Sequence, residues 1–282
     1  MKHSIFTVAL EDLSYEEIAN ILSDEGYDGV EWRVTHPKEN EAMKHLNLLD
    51  IETQAKKVKA LCNSLGLEMP ALASYENLDK TDRIKRLFHL ANLLGVPFVR
   101  IHPRLYETNP HYDIRVSDLV QDIRSILPIA VKYSVKPVLE IHMGTIYPGP
   151  SDIRKIVDHF SPEEIGVIID PGNMVIEGMI DWTLAVQILG QYLVHVHVKN
   201  SGWRKHDDDK WKWEWMPLEG GMVNWRDVIQ SLKKAGYDGY LSQEDFFSFS
   251  VARPQSMKDK SELTKYIKRI LNQNKKYLDN LM

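Results

Sequence analysis

The chain has 282 residues, of which 43% are hydrophobic and 27% charged, and its 35 Lys and Arg face 40 Asp and Glu for a formal net charge of −5. That length and apolar fraction supply an ample core and exclude intrinsic disorder. The acidic balance argues against a nucleic-acid binder that works by neutralising phosphates, and no apolar run approaches the roughly 18 residues of a membrane span.

The opening MKHSIFTVALEDL has too short an apolar run for a secretory signal, so a cytoplasmic protein is expected. It reads instead as a strand, HSIFTVA (3–9), followed by a helix that Ser14 and Glu17 open with a capping-box spelling. A second strand, DGVEWRV (28–34), precedes a helix over 51–65 whose apolar face is Ile51, Ala55, Val58, Cys62 and Leu65. Cys62 is the sole cysteine, which rules out an internal disulfide and fits a reduced compartment; on that face it reads as a small core residue. LEMPALA (67–73), PFVRIHP (97–103), KPVLEIH (136–142), IGVIID (165–170), LVHVHVK (193–199) and DGYLSQE (238–244) are the remaining strands. Helical periodicity fills 80–95, 114–133, 151–160, 181–191 and 224–235, and a basic amphipathic helix over 261–281 ends the chain. The segment 200–222 reads as a long loop crowded with Trp203, Trp211, Trp213 and Trp215, either a lid over a small polar ligand or packing that anchors the loop.

EGYDGVEW (25–32) and AGYDGYLSQE (235–244) form a weak repeat of helix end, Gly, turn and strand. Eight such units average about 35 residues each, the size of a βα module in a closed barrel. With no low-complexity linker and no GxGxxG or GxxxxGK[ST] motif, the expected architecture is α/β: one domain over 1–282, a (β/α)8 TIM barrel with an extra C-terminal helix.

Strands of a parallel barrel are covered on both faces and ought to be nearly all apolar. Here charged residues recur at their C-terminal ends, where such barrels place their sites. By the two-residue period Glu140 and His142 share a face, as do His195, His197 and Lys199, Glu31 and Arg33, and Arg100 and His102; Asp170 and Glu244 close their strands. Glu140, Asp170, His197 and Glu244 thus bring three carboxylates and one imidazole from four consecutive strands, a donor set for one divalent ion such as Mn²⁺, Mg²⁺, Co²⁺ or Zn²⁺. The alternative is an ion-pair network in which Arg33, Arg100 and Lys199 balance the carboxylates. His195, one layer deeper, is open between a hydrogen-bonded core residue and a ligand. His36, His45, His89, His111, His159 and His206 read as solvated. Gln243 is out of place: it points outward where an apolar residue is expected, so either it finds a hydrogen-bond partner or the strand is one residue out of register and Glu244 leaves the site.

LEIH (139–142), IDPGNMVIEG (169–178), HVHVKN (195–200), MPLEGGMVNW (216–225) and GYDGYLSQE (236–244) together resemble the xylose isomerase-like barrel superfamily, and more narrowly its sugar phosphate isomerase/epimerase group, along essentially the whole chain. The resemblance implies a single divalent metal on Glu140, Asp170, His197 and Glu244. It also implies that Glu140 and Glu244 pass a proton across a metal-stabilised enediolate, and that His142, Lys199, Arg33, His102 and Asn173 contact substrate. The expected activity is a metal-dependent isomerase or epimerase of a small sugar or keto-polyol, with no nucleic-acid or membrane partner; a homo-oligomer is compatible with the sequence.

The departures from that family narrow the choice. Many relatives carry His three residues after the metal-binding Asp, where this chain has Asn173, which can hydrogen-bond but not ligate. Ile146 stands where similar ketohexose 3-epimerases carry a substrate-binding Glu, which disfavours that activity. Lys199 resembles the inosose-dehydratase-like members, so water elimination is the runner-up. An abasic-site nuclease of the endonuclease IV type lacks its extra His ligands here, and a barrel that kept the metal as a non-catalytic carbohydrate-binding protein is a third reading.

Overall fold

A computed structural model describes residues 1–36, 45–101, 104–178, 181–255, 257 and 259–282. Eleven strands appear among them: β1 (Lys2–Phe6), β2 (Gly29–Thr35), β3 (Leu46–Asn47), β4 (Ala71–Ser74), β5 (Phe98–Arg100), β6 (Lys136–Glu140), β7 (Gly166–Ile169), β8 (Leu193–Val198), β9 (Asn200–Lys205), β10 (Trp211–Met216) and β11 (Tyr240–Gln243). Eight of these described strands pair in the parallel order β1-β11-β8-β7-β6-β5-β4-β2, and a β1–β2 pairing closes the ring into a (β/α)8 barrel. All eight expected strands are present. The third begins at Ala71 instead of residue 67, after Pro70, which has no N–H to give the ladder.

The surrounding helices are α1 (Tyr15–Asp24), α2 (Ile51–Leu65), α3 (Thr81–Leu94), α4 (Tyr112–Tyr133), α5 (Pro150–Val157), α6 (Pro171–Glu177), α7 (Trp182–Leu189), α8 (Trp225–Lys234) and α9 (Lys260–Asp279). Their starts follow local chemistry. Ser14 accepts from Glu17 N while the Glu17 carboxylate accepts from Ser14 N, the reciprocal capping box read in the sequence. At the other end of α2, Gly66 takes φ 68°, a left-handed conformation that costs glycine nothing, and turns the chain toward β4. The expected C-terminal helix, α9, follows β11 and rests on the β1 side of the barrel, where His3 Nε2 lies 2.7 Å from Asp279 Oδ1. None of the described helices is long and apolar enough to cross a membrane.

Two local readings change. The segment 200–222 is not an irregular loop: β9 and β10 form an antiparallel hairpin over much of it. His45 is not solvated; it is buried, with Nε2 3.2 Å from the Leu10 carbonyl oxygen.

Candidate metal and sugar site

Four barrel strands deliver the predicted group to one place. Glu140 ends β6, Asp170 follows β7, His197 lies on β8 and Glu244 follows β11. All four are buried, and one ligand atom from each lies within 4.8 Å of the others. The register question at β11 is thereby closed. Gln243 does face outward, where its Oε1 lies 3.1 Å from the Tyr27 hydroxyl, so Ser242 and Glu244 turn into the barrel.

The DPGN spelling builds one wall. Asp170 is the N-cap of α6, with Oδ1 accepting from Asn173 N at 3.0 Å, and Pro171 occupies the first helical position, where no N–H is needed. Gly172 is required by space: a Cβ there would lie 2.5 Å from Lys199 Cγ and 3.0 Å from the Lys199 carbonyl oxygen. Asn173 turns inward as a hydrogen-bond donor, Nδ2 reaching Glu140 Oε1 at 3.3 Å and the Ile141 carbonyl at 3.2 Å. Asn200 pins the return of the hairpin, giving Nδ2 to the Leu218 and Val223 carbonyls and taking Ser201 N and Val223 N on Oδ1.

His197 is the hinge of the electrostatics. Nδ1 faces Glu140 Oε1 at 3.0 Å and Asp170 Oδ2 at 3.8 Å, whereas Nε2 points the other way, 3.2 Å from both oxygens of Glu31. Phe6 stacks on the imidazole at 5.4 Å. Glu31 is itself gripped by His195 Nε2 at 2.9 Å and the Ser242 hydroxyl at 2.6 Å. Glu31 was noted in the sequence only as sharing a face with Arg33; its place beneath His197 was not foreseen. His195 proves a hydrogen-bonded partner of that carboxylate. An imidazole whose outer nitrogen is held by a carboxylate presents a fixed lone pair on the other nitrogen, the usual arrangement behind a metal-bound histidine.

Two cations approach the carboxylates. Arg100 Nε donates to Glu140 Oε2 at 2.5 Å, and Lys199 Nζ lies 2.5 Å from Glu244 Oε2 and 2.8 Å from Asp170 Oδ2. Part of the ion-pair alternative is therefore real, but it does not balance. Four buried carboxylates, Glu31, Glu140, Asp170 and Glu244, face two permanent cations, Arg100 and Lys199, so the group stays short of positive charge unless His197 and Asp170 take up protons. The titration of the group carries the strain. Burial pushes Asp170 up to about 7, against the pull of Lys199 and with the repulsion of Glu140 and Glu244 added. His197 is raised well above its ordinary range: burial opposes the charge, but Glu31 and Glu140 outweigh it. Glu140 is held well below the ordinary carboxylate range, burial being overcome by Arg100 and His197. Lys199 stays protonated, because Asp170, Glu244 and Glu140 overcome its burial. The donor types, their convergence and the excess of buried carboxylates over permanent cations all fit a divalent cation on Glu140, Asp170, His197 and Glu244, which would displace the protons on His197 and Asp170.

The other expected contacts lie nearer the mouth. His142 is half-buried, with Nδ1 2.8 Å from the Met143 carbonyl oxygen. Arg33 pairs with Glu11 and lies 5.4 Å from the Tyr75 ring centre, while Arg100 reaches the same ring at 4.9 Å. Trp215 and Phe246 cover Lys199, their ring centres 5.2 and 5.6 Å from Nζ. His102 lies outside the described residues.

The barrel has known relatives. The family profile described as xylose isomerase-like TIM barrel matches residues 19–267. An uncharacterised protein of Methanocaldococcus jannaschii is 27% identical over 127 residues, which is 44% of this chain and 41% of that one. An inosose dehydratase of Lacticaseibacillus casei is 20% identical over 248 residues, 83% of both chains. Among solved structures, a probable 3-DHS dehydratase from Bacillus anthracis superposes with a TM-score of 0.74 at 18% identity over 99% of both chains. IOLI protein with a bound zinc atom superposes with a TM-score of 0.72 at 16% identity, over 100% of this chain and 99% of that one. D-psicose 3-epimerase does so at 0.68 and 14%, over 99% of both. A closed eight-stranded barrel with this profile along most of its length belongs to the xylose isomerase-like TIM barrel family.

Proposed function

We propose that this chain is a divalent-metal-dependent enzyme that moves a proton on the carbon beside the carbonyl of a small keto-sugar or keto-polyol, an isomerase or epimerase. The reading is carried by the convergence of Glu140, Asp170, His197 and Glu244 in a buried group whose carboxylates outnumber its permanent cations. Those four residues would hold the cation, which when bound polarises a carbonyl and an adjacent hydroxyl and so acidifies the C–H between them. Glu140 and Glu244 are the acid/base pair. Two strands, β7 and β8, separate β6 from β11, so the two carboxylates reach the reacting carbon from different sides. Glu140, kept ionised by Arg100, is ready to accept the proton. Lys199, kept charged, binds a substrate oxygen instead of exchanging protons. At His142 burial lowers the pKa, so the imidazole is neutral near pH 7. Its Nδ1–H donates to the Met143 carbonyl, which leaves Nε2 as an acceptor for a substrate hydroxyl. Arg33, Asn173 and His102 complete the proposed contacts, Asn173 through its grip on Glu140.

A second reading, dehydration, is favoured by the similarity to inosose dehydratase over most of both chains. It shares the proton removal and then expels a hydroxyl on the neighbouring carbon as water. One experiment separates the two. Protein reconstituted with Mn²⁺ or Zn²⁺ is incubated in D₂O with ketopentoses, ketohexoses and inososes, and the products are followed by NMR and mass. Deuterium uptake at the carbon beside the carbonyl without loss of mass as water supports the epimerase; a product lighter by one water supports the dehydratase. Glu140→Gln and Glu244→Gln are each expected to slow exchange by about 10²–10⁴-fold. No exchange and no water loss with any of these substrates, in protein that holds the metal, overturns the proposal.

A further inference from the structure

A row of tryptophans runs outward from this site. In the β9–β10 hairpin Trp215 stands opposite Ser201, Trp213 opposite Trp203 and Trp211 opposite Lys205. Opposed residues of an antiparallel pair share a face, so all four indoles lie on one side of the ribbon. Its inner end is fixed over the site. Trp215 lies 5.2 Å from Lys199 Nζ and 5.3 Å from the Phe246 ring, Ser201 donates to the Gly172 carbonyl at 2.6 Å, and Trp203 Nε1 donates to the Ile176 carbonyl at 3.2 Å. From there the row becomes accessible. Trp213 meets Trp215 edge-on at 5.1 Å and is 37% exposed, Trp203 is 38% exposed and Trp211 64%.

The charges of the hairpin do not compete for a ligand. Residues 200–216 hold four Lys or Arg and four Asp or Glu. Lys205 pairs with Asp209 at 2.6 Å, Lys212 with Asp208 at 3.2 Å, and Glu214 with His206 at 2.8 Å and Arg204 at 3.6 Å. What this neutral ribbon offers is a set of flat apolar rings continuous with a polar, cation-holding pocket. A pyranose ring matches such a surface: its axial C–H bonds present a weakly positive apolar face to the negative face of an indole, while its hydroxyls stay in water around the edge. Successive tryptophans along β10 are two residues, about 7 Å, apart.

We propose that the Trp213, Trp203 and Trp211 row is a second sugar subsite, which stacks the distal ring of a glycosylated substrate whose reacting keto unit sits at Glu140, Asp170, His197 and Glu244. The proposal rests on the sugar reading above and extends it: the substrate is a glycosyl-ketose or related glycoside, larger than a monosaccharide.

The test uses the full chain loaded with Mn²⁺, and measures binding of D-fructose, lactulose, maltulose and isomaltulose by calorimetry and saturation-transfer NMR. At least one glycosyl-ketose is expected to bind about tenfold more tightly than D-fructose, with the strongest transfer on its distal ring. Trp213→Ala removes most of that gain and leaves D-fructose binding and metal content unchanged. Trp211→Ala, at the exposed outer end where folding is not at stake, reduces the gain without abolishing it. The subsite is overturned if D-fructose binds and no glycosyl-ketose binds better, if the gain survives both substitutions, or if both ligands weaken equally in Trp213→Ala. A dimer that dissociates in Trp211→Ala also overturns it, by making the row a subunit interface. If none of the four sugars binds the metal-loaded protein, the subsite is overturned; the sugar reading fails with it only if no ketopentose or inosose binds either.

Discussion

Asp170 offers the sharpest test of whether the cluster is a cation site or a self-sufficient ion-pair network. The perturbation is Asp170→Asn, which keeps the shape of the side chain and the α6 cap, since Asn caps helices as well as Asp. In the metal-free protein burial raises the Asp170 carboxyl to about 7, from an ordinary value near 3.8. At about 1.4 kcal/mol per pH unit, ionising it inside the fold costs roughly 4 kcal/mol above pH 7. The sign follows from proton linkage. A folded-state pKa above the unfolded one favours folding below pH 3.8, and that advantage is lost as pH rises to about 7. Metal-free Asp170→Asn is therefore expected to be more stable than the parent at pH 8, by about 2–4 kcal/mol, with the gain shrinking toward pH 4. Divalent cation reverses the order, because it stabilises the parent and not the variant. Urea unfolding of chelator-stripped proteins at pH 5, 6.5 and 8, repeated with Mn²⁺ or Zn²⁺, reads both effects. If the stripped variant is the less stable protein at pH 8, the Lys199 ion pair outweighs the burial of charge, and the argument for a missing cation fails.

Glu31→Gln removes the carboxylate that holds His197 Nε2 while leaving the four proposed ligands in place, and should weaken metal binding about 10–100-fold; a chelator competition that finds less than a threefold change refutes the positioning role. Metal and protons compete for the same atoms, so with Asp170 at about 7 and His197 raised, affinity should fall by about tenfold per pH unit for each proton displaced, up to about a hundredfold per unit below pH 7; a flat profile from pH 5.5 to 7.5 in a pH-stat calorimetric titration contradicts this. Gln243→Leu buries an apolar side chain where the Gln243 Nε2 amide has no partner, while the Tyr27 hydroxyl keeps the Leu271 carbonyl at 3.0 Å. Thermal melts should show a change within about 1 kcal/mol of neutral, and a loss of several kcal/mol means that Gln243 does not lie on the outer face.

Much of the barrel was legible because its signals are local. The capping box at Ser14 and Glu17 involves neighbours three residues apart, and the five-residue apolar face of 51–65 is a one-helix pattern. Strand polarity was equally readable: an alternation with period two placed Glu140, Asp170, His197 and Glu244 at strand ends, and a closed parallel barrel has one end at which they can meet. The hairpin escaped, since β10 alternates tryptophan with lysine and glutamate and β9 opens on Asn, Ser and Gly, and a ribbon of that kind lacks the apolar run that announces a buried strand. His45 escaped for the opposite reason: burial of a polar ring depends on the Leu10 carbonyl, 35 residues away in the chain.

What the sequence by itself determined is the architecture and the membership of the four-residue group, because periodicity, caps and strand-end polarity are properties of short segments. Only the tertiary structure decided how that group is charged and aimed. Glu31 meets His195 across 164 residues and His197 across 166, Arg100 meets Glu140 across 40, and Lys199 meets Glu244 across 45. No local pattern encodes which carboxylate takes which cation. That choice is made by side-chain reach inside a closed barrel, where removal of water makes each pairing, and each unbalanced charge, count for far more than it would in solvent.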